Sequence, residues 1–259
     1  MSNTNPIGLF DSGIGGTSIW KEMQQLLPNE NSIYLADSKN APYGKKSKEE
    51  IINLSFKNTD FLLEKNCKII VVACNTATTN AIKELREKYS VPFIGIEPAI
   101  KPAALQTTTQ TIGILATQGT LNSELFYQNI QNYSHTKIIE QVGHRLVELI
   151  EDGKINSTET KKLLESYLTP MVKANIDYLV LGCTHYPYLI PIIKKMIPNN
   201  IKIIDSGEAV AKQTKNILTA NNLLNKSGDV PKNIFYTNSD SKVLKEILGI
   251  TTNIIEQDF

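Results

Sequence analysis

Short apolar runs alternate along this chain with longer stretches whose apolar residues recur every three to four positions. The short runs, rich in Ile, Val, Leu and Tyr, predict strands at 7–10, 33–36, 68–73, 93–96, 112–116, 137–141, 178–181, 201–204 and 234–236. The longer period predicts helices near 17–27, 48–65, 78–89, 121–132, 143–151, 158–174, 188–197, 207–222 and 240–248. Strands alternating with helices predict an α/β fold with parallel-rich sheets flanked by helices. Uninterrupted runs such as Ile69-Ile70-Val71-Val72 fit strands covered on both faces.

A second pattern has a much longer period. Ile7-Gly8-Leu9-Phe10-Asp11 resembles Ile112-Gly113-Ile114-Leu115-Ala116, with starts 105 residues apart. Val72-Ala73-Cys74-Asn75-Thr76 and Leu181-Gly182-Cys183-Thr184-His185 place two cysteines 109 residues apart, each just after an apolar run. The two similar spacings suggest a duplicated unit, and so two similar domains with the active site in the cleft between them. Prolines at Glu97-Pro98 and Lys101-Pro102 interrupt the pattern and mark a boundary. The expected division is residues 1–97 plus 207–259, carrying Asp11 and Cys74, and residues 98–206, carrying Cys183 and His185. The tail after Asp205-Ser206-Gly207 is expected to add one strand and helix to the first domain.

Composition narrows the function. The chain has 259 residues, 41% hydrophobic and 20% charged, as an ordinary globular protein does. A formal net charge of +1 argues against a protein that binds nucleic-acid phosphates. The basic run Lys45-Lys46-Ser47-Lys48 reads as a solvated helix start. No apolar run reaches the roughly 18 residues of a membrane span. The polar Met1–Asn5 stretch has no signal-peptide pattern, so a cytoplasmic protein is expected. Cys67, Cys74 and Cys183 then read as thiols. His135, His144 and His185 are scattered singly, with no CxxC or HExxH, so no metal site is expected.

The candidate chemistry sits at strand ends, where α/β proteins bind ligands. Asp11-Ser12-Gly13-Ile14-Gly15-Gly16 follows the first strand and opens a helix. Its glycines allow a tight turn with exposed amides, and Asp11 suits an ammonium group better than a pyrophosphate. Asp11 or Ser12 acting only as a helix cap is the plainer alternative. Ala41-Pro42-Tyr43-Gly44 is a turn whose amides could meet a carboxylate, or a turn and nothing more. Asn75, Thr76 and Thr184 follow the cysteines with polar groups. Thr117, at the end of the 112–116 strand, reads equally as a ligand contact or a cap. His185 is a candidate proton carrier for Cys183, or a packing histidine.

A lone free cysteine is usually a small buried hydrophobe. A matched pair is harder to dismiss. A thiol hydrolase needs one Cys with a separate His, and Cys183 and His185 share one turn. A nucleotide-binding module lacks its GxGxxG or Walker loop. A non-catalytic amino acid binder leaves two thiols unexplained. Inverting a carbon centre without a cofactor needs an acid and a base on opposite faces, and two thiols supply both. One thiol and one thiolate must coexist, so each needs a neighbour to manage its proton. Asp11 is the candidate for Cys74 and His185 for Cys183.

Four motifs in order also carry a family resemblance: Phe10-Asp11-Ser12-Gly13-Ile14-Gly15-Gly16, Ala41-Pro42-Tyr43-Gly44, Ala73-Cys74-Asn75-Thr76-Ala77-Thr78 and Leu181-Gly182-Cys183-Thr184-His185-Tyr186-Pro187. Over nearly its whole length the chain resembles the glutamate racemases of the cofactor-independent aspartate/glutamate racemase family. Racemisation of aspartate or another amino acid is the nearby alternative. The resemblance implies Cys74 and Cys183 as the two acid/bases, assisted by Asp11 and His185. It adds Glu151, in Leu149-Ile150-Glu151-Asp152-Gly153, near the second thiol. Implied substrate contacts are Asp11, Ser12, Tyr43, Gly44, Asn75, Thr76, Thr184 and His185, with Thr117 as an addition. It further implies L- and D-glutamate as ligands, no cofactor, a homodimer and a role in supplying D-glutamate for peptidoglycan. The short N-terminus lacks the leading extension of members activated by a peptidoglycan precursor, so that activation is not expected.

Overall fold

The computed structural model describes residues 3–249 and 253–259. Met1 and Ser2, the start of the polar lead ahead of the first strand, lie outside the described residues. The strands are β1 (Ile7–Asp11), β2 (Ser32–Ala36), β3 (Ile69–Val72), β4 (Phe93–Gly95), β5 (Thr111–Ala116), β6 (Lys137–Val142), β7 (Tyr178–Gly182), β8 (Lys202–Ile204), β9 (Asn233–Thr237) and β10 (Ile254–Glu256). The α-helices are α1 (Thr17–Leu26), α2 (Lys48–Glu64), α3 (Asn75–Lys88), α4 (Ile100–Gln106), α5 (Gln118–Leu121), α6 (Glu124–Gln131), α7 (Leu146–Glu151), α8 (Thr158–Lys173), α9 (Ile190–Ile193), α10 (Gly207–Ala220) and α11 (Lys242–Leu248).

The strands make two parallel sheets, ordered β10-β9-β2-β1-β3-β4 and β6-β5-β7-β8. This is the expected α/β class. The order β2-β1-β3-β4 in one sheet repeats as β6-β5-β7-β8 in the other. The register repeats too: Ile7 pairs with Ile69, and Ile112 pairs with Tyr178. Ile112 follows Ile7 by 105 residues and Tyr178 follows Ile69 by 109, the two spacings legible in the sequence. Central strands β1, β3, β5 and β7 are buried along their lengths, as their apolar runs require. One apolar cluster, including Leu9, Ile14, Leu115, Leu146, Ile150 and Leu181, runs through both sheets. The two halves therefore meet across packed side chains.

Several elements differ from the periodic pattern for local reasons. The stretch at 121–132 divides at Asn122–Ser123, because the Ser123 hydroxyl caps a new helix through the Phe126 amide. The stretch at 143–151 becomes helical only at Leu146, after Arg145 takes a left-handed conformation at φ 67°. Pro187 and Pro191 reduce 188–197 to a 3₁₀ turn (Tyr186–Leu189) and the short α9. Pro102 does not break the chain; it sits in the first turn of α4, where a missing N–H costs nothing. The tail carries two strands, not one: β9 pairs with β2, and β10 with β9. β10 is a half-exposed edge strand of three residues, too short to stand out as a pattern. α10 packs against α1.

The basic run behaves as a helix start. Ser47 caps α2 in a capping box with Glu50, Lys45 pairs with Glu148, and Lys48 pairs with Glu84 at 3.4 Å.

Candidate active site

All strands of a parallel sheet end on one edge, so the turns after β1, β3, β5 and β7 gather the polar residues of both halves. They border a narrow cavity. Ten of the twelve expected site residues line it: Ser12, Tyr43, Gly44, Cys74, Asn75, Thr76, Thr117, Cys183, Thr184 and His185. Asp11 and Glu151 stand directly behind them. Pro42 and Val147 complete the wall.

Cys74 caps α3. Its backbone is extended and its Sγ accepts from the Ala77 amide at 3.4 Å, so α3 starts at Asn75, three residues earlier than its periodicity suggests. The sulfur also lies 3.7 Å from Ser12 Oγ. The thiol is 4% exposed. Burial and the nearby Asp11 carboxylate push it well above the ordinary thiol value, against the Ala77 amide and the Ser12 hydroxyl. Asp11 is fully buried. Its Oδ2 accepts from the Gly16 amide at 2.8 Å and its Oδ1 from Thr184 Oγ1 at 3.4 Å. Burial raises Asp11 to about 6, with Glu151 adding to the rise while His185, the Gly16 amide and the Cys74 thiol oppose it. Asp11 therefore braces the turn ahead of α1 through Gly16, without capping the helix itself, and it also faces the second half of the molecule.

Cys183 ends β7 and is 6% exposed. Its Sγ lies 3.8 Å from His185 Nδ1. The other ring nitrogen, Nε2, meets Glu151 Oε1 at 2.5 Å. Burial disfavours a charged ring, but the Cys183 sulfur and the Glu151 carboxylate outweigh it and lift His185 well above the ordinary histidine value. The result is a chain of contacts, Cys183–His185–Glu151, ending on a carboxylate held by the first half. Glu151 Oε1 accepts from the Ile14 amide at 2.7 Å, and Oε2 accepts from Ser38 Oγ at 2.9 Å.

Two amides of the glycine loop, those of Ile14 and Gly16, are taken by Glu151 and Asp11. The glycines also make room. A Cβ on Gly13 would land on the Glu151 carboxylate, and one on Gly15 on the His185 ring. Both keep negative φ, so close approach is the requirement.

The remaining expected residues hold the walls. Tyr43 Oη donates to Asp37 Oδ2 and accepts from Asn58 Nδ2, so its polar tip points away from the cavity. Thr117 caps α5 through the Thr120 amide and shares a 2.8 Å hydrogen bond with Thr76 Oγ1, joining the two halves. Asn75 donates to the Ile96 carbonyl, while its buried Oδ1 has no partner among the described residues. Sequence reasoning missed Ser38 and Val147. Ser38 follows Asp37 just after β2, a strand-end position like the others. Val147 lies four residues before Glu151, on the same face of α7.

No group of three or more His, Cys, Asp or Glu side chains among the described residues could hold a metal ion. No described helix is long and apolar enough to cross a membrane.

Residues 7–214 match the pattern of the Asp/Glu/Hydantoin racemase family. A glutamate racemase of Herpetosiphon aurantiacus is 48% identical over 221 residues, which are 85% of this chain and 87% of the relative. The crystal structure of glutamate racemase isoform RacE1 from Bacillus anthracis has a TM-score of 0.89 at 31% identity, covering 99% of this chain and 98% of that one. The Francisella tularensis glutamate racemase, crystallised in complex with D-glutamate, has a TM-score of 0.85 at 30% identity and 98% coverage of both chains. The chain thus belongs to the Asp/Glu/Hydantoin racemase family, and within it is similar to glutamate racemases.

Proposed function

We propose that this protein interconverts L- and D-glutamate by 1,1-proton transfer between Cys74 and Cys183, with no cofactor. One observation carries the reading: two cysteines at corresponding ends of corresponding strands border one narrow cavity. Each has its own proton partner. Asp11, at about 6, sits near neutrality, where a general base works best. On the other side, the Cys183 sulfur and the Glu151 carboxylate favour the protonated ring of His185 against its burial. Cys74, relieved of its proton by Asp11, takes the substrate α-proton, breaking C–H as S–H forms. Cys183 gives its own proton to the opposite face of the carbanion, and His185 resupplies the sulfur. The reverse reaction exchanges these roles.

The cavity also suits an amino acid. The unpaired Asn75 Oδ1 is a buried acceptor for the substrate ammonium group. The start of α3, with Thr76, offers a favourable electrostatic setting for the α-carboxylate, where charge accumulates after deprotonation. Small size and burial exclude water and strengthen these interactions. The same proposal includes the two-domain division, with residues 98–206 as the second domain. It also includes a cytoplasmic homodimer that supplies D-glutamate for peptidoglycan.

Purified protein without added cofactor, incubated with L-glutamate in D₂O, is expected to form D-glutamate carrying one α-deuterium. Chiral chromatography with mass spectrometry reads both, and L-aspartate provides the comparison substrate. The rate should fall as pH drops below about 6, where Asp11 takes up a proton and Cys74 loses its base. Folded protein that neither inverts nor deuterates glutamate would overturn the proposal, and inversion of aspartate alone would reassign the substrate.

A further inference from the structure

Ser38 lies outside the cavity wall, yet its hydroxyl meets the far end of the Cys183 proton chain. It sits half-buried in the short 3₁₀ turn Ser38–Asn40 after β2. Its Oγ donates to Glu151 Oε2 at 2.9 Å. Glu151 belongs to α7, beyond the boundary between the halves. Its other oxygen is shared by the Ile14 amide and His185 Nε2. Among the described residues, the hydrogen bonds that reach this carboxylate from outside its own half thus come from two turns of the first sheet, after β1 and after β2. The preceding residue, Asp37, holds Tyr43 through Oδ2 and Asn238 through Oδ1 at 2.5 Å. This anchors the turn on both sides, so the Ser38 hydroxyl projects from a fixed base.

We propose that Ser38 is a positioning residue for the reaction. It orients Glu151 from across the cleft and thereby keeps the His185 ring aligned on Cys183. The inference rests on the two-thiol reading above. A carboxylate with one backbone donor can swing about that contact, and a second donor on its other oxygen fixes the plane. Charge-assisted hydrogen bonds of this kind are the stronger class and the more directional. Such outer partners typically change function by about 10–100-fold when removed, by analogy with the carboxylates behind metal-bound histidines.

The test uses the full chain with Ser38→Ala and Ser38→Thr. Ser38→Ala should lower kcat about tenfold with KM within about twofold, because the substrate contacts are untouched. Ser38→Thr keeps the hydroxyl and should recover most of the loss. A second readout does not depend on turnover. The chain has three histidines, so His185 can be followed by NMR titration, with His185→Asn identifying its signal. The titratable groups facing its ring are Glu151, Cys183 and Asp11. Ser38→Ala should move the His185 titration to lower pH as Glu151 loosens, and leave His135 and His144 unchanged. In a Glu151→Gln background the same substitution should have little further effect. An unmoved or raised His185 titration in folded Ser38→Ala protein would overturn the inference, as would an equal loss in the Glu151→Gln background. Wild-type protein that does not racemise would overturn the function instead, and the titration would still decide the role of Ser38.

Discussion

Replacing either Cys74 or Cys183 by alanine should abolish racemisation, lowering kcat by about 10³-fold or more while leaving the fold cooperative. A positioned acid or base typically contributes about 10²–10⁴-fold. Here both sulfurs line the cavity, while the carboxylates of Asp11 and Glu151 stand behind the lining residues and His185 serves the Cys183 sulfur. Both cysteines are small and buried, so Cys→Ala removes one atom and costs little packing. The two variants should differ in an informative way. A lone remaining thiol can still remove an α-proton and return a deuteron to the same face. Each variant should therefore wash deuterium into one glutamate enantiomer without inversion, and the two variants should choose opposite enantiomers. Proton NMR in D₂O reads this directly. If both variants exchange the same enantiomer, or either keeps near-normal turnover, the two thiols do not flank the substrate.

The pairing of these cysteines was legible because duplication leaves a measurable trace. The spacings of 105 and 109 residues recur in the strand register itself, where Ile7 meets Ile69 and Ile112 meets Tyr178. Central strands were equally legible, since burial on both faces demands apolar runs. Edge and terminal elements were not. β10 has three residues and is half exposed, so it carries no pattern strong enough to read. The start of α3 was obscured because Asn75 and Thr76 are poor helix formers placed in the first turn by Cys74, an unusual cap. Contacts between the halves left the faintest trace of all. Ser38 and Glu151 lie 113 residues apart, and nothing in their neighbourhoods announces that they touch. The glycine loop was recognised as a tight turn, but its purpose was visible only with Glu151 and His185 in place against it.

That purpose leads to the second large effect. Gly15→Ala should lower kcat by about 10²-fold or more without unfolding the protein, and Gly13→Ala should do the same through Glu151. Neither glycine occupies the left-handed region, so alanine adopts either backbone without strain. The whole cost falls on what the new methyl group meets. At Gly15 that is the His185 ring, with Nδ1, Cγ and Cε1 all within overlap distance. The ring cannot retreat easily, because Nε2 is tied to Glu151 and the residue is nearly fully buried. It must tilt, and the 3.8 Å approach of Nδ1 to Cys183 is the contact that tilting breaks. A displacement of about 1 Å in a reacting group can cost about 10²-fold. At Gly13 the methyl group displaces the Glu151 carboxylate, which also forfeits its bond from the Ile14 amide. Because both substitutions act on the Cys183 side, they should spare the deuterium exchange assigned to Cys74 and suppress that assigned to Cys183. Cooperative urea unfolding would show that the fold persists. Wild-type kcat in Gly15→Ala would mean that His185 need not stand where it does, and that Cys183 manages its proton by another route.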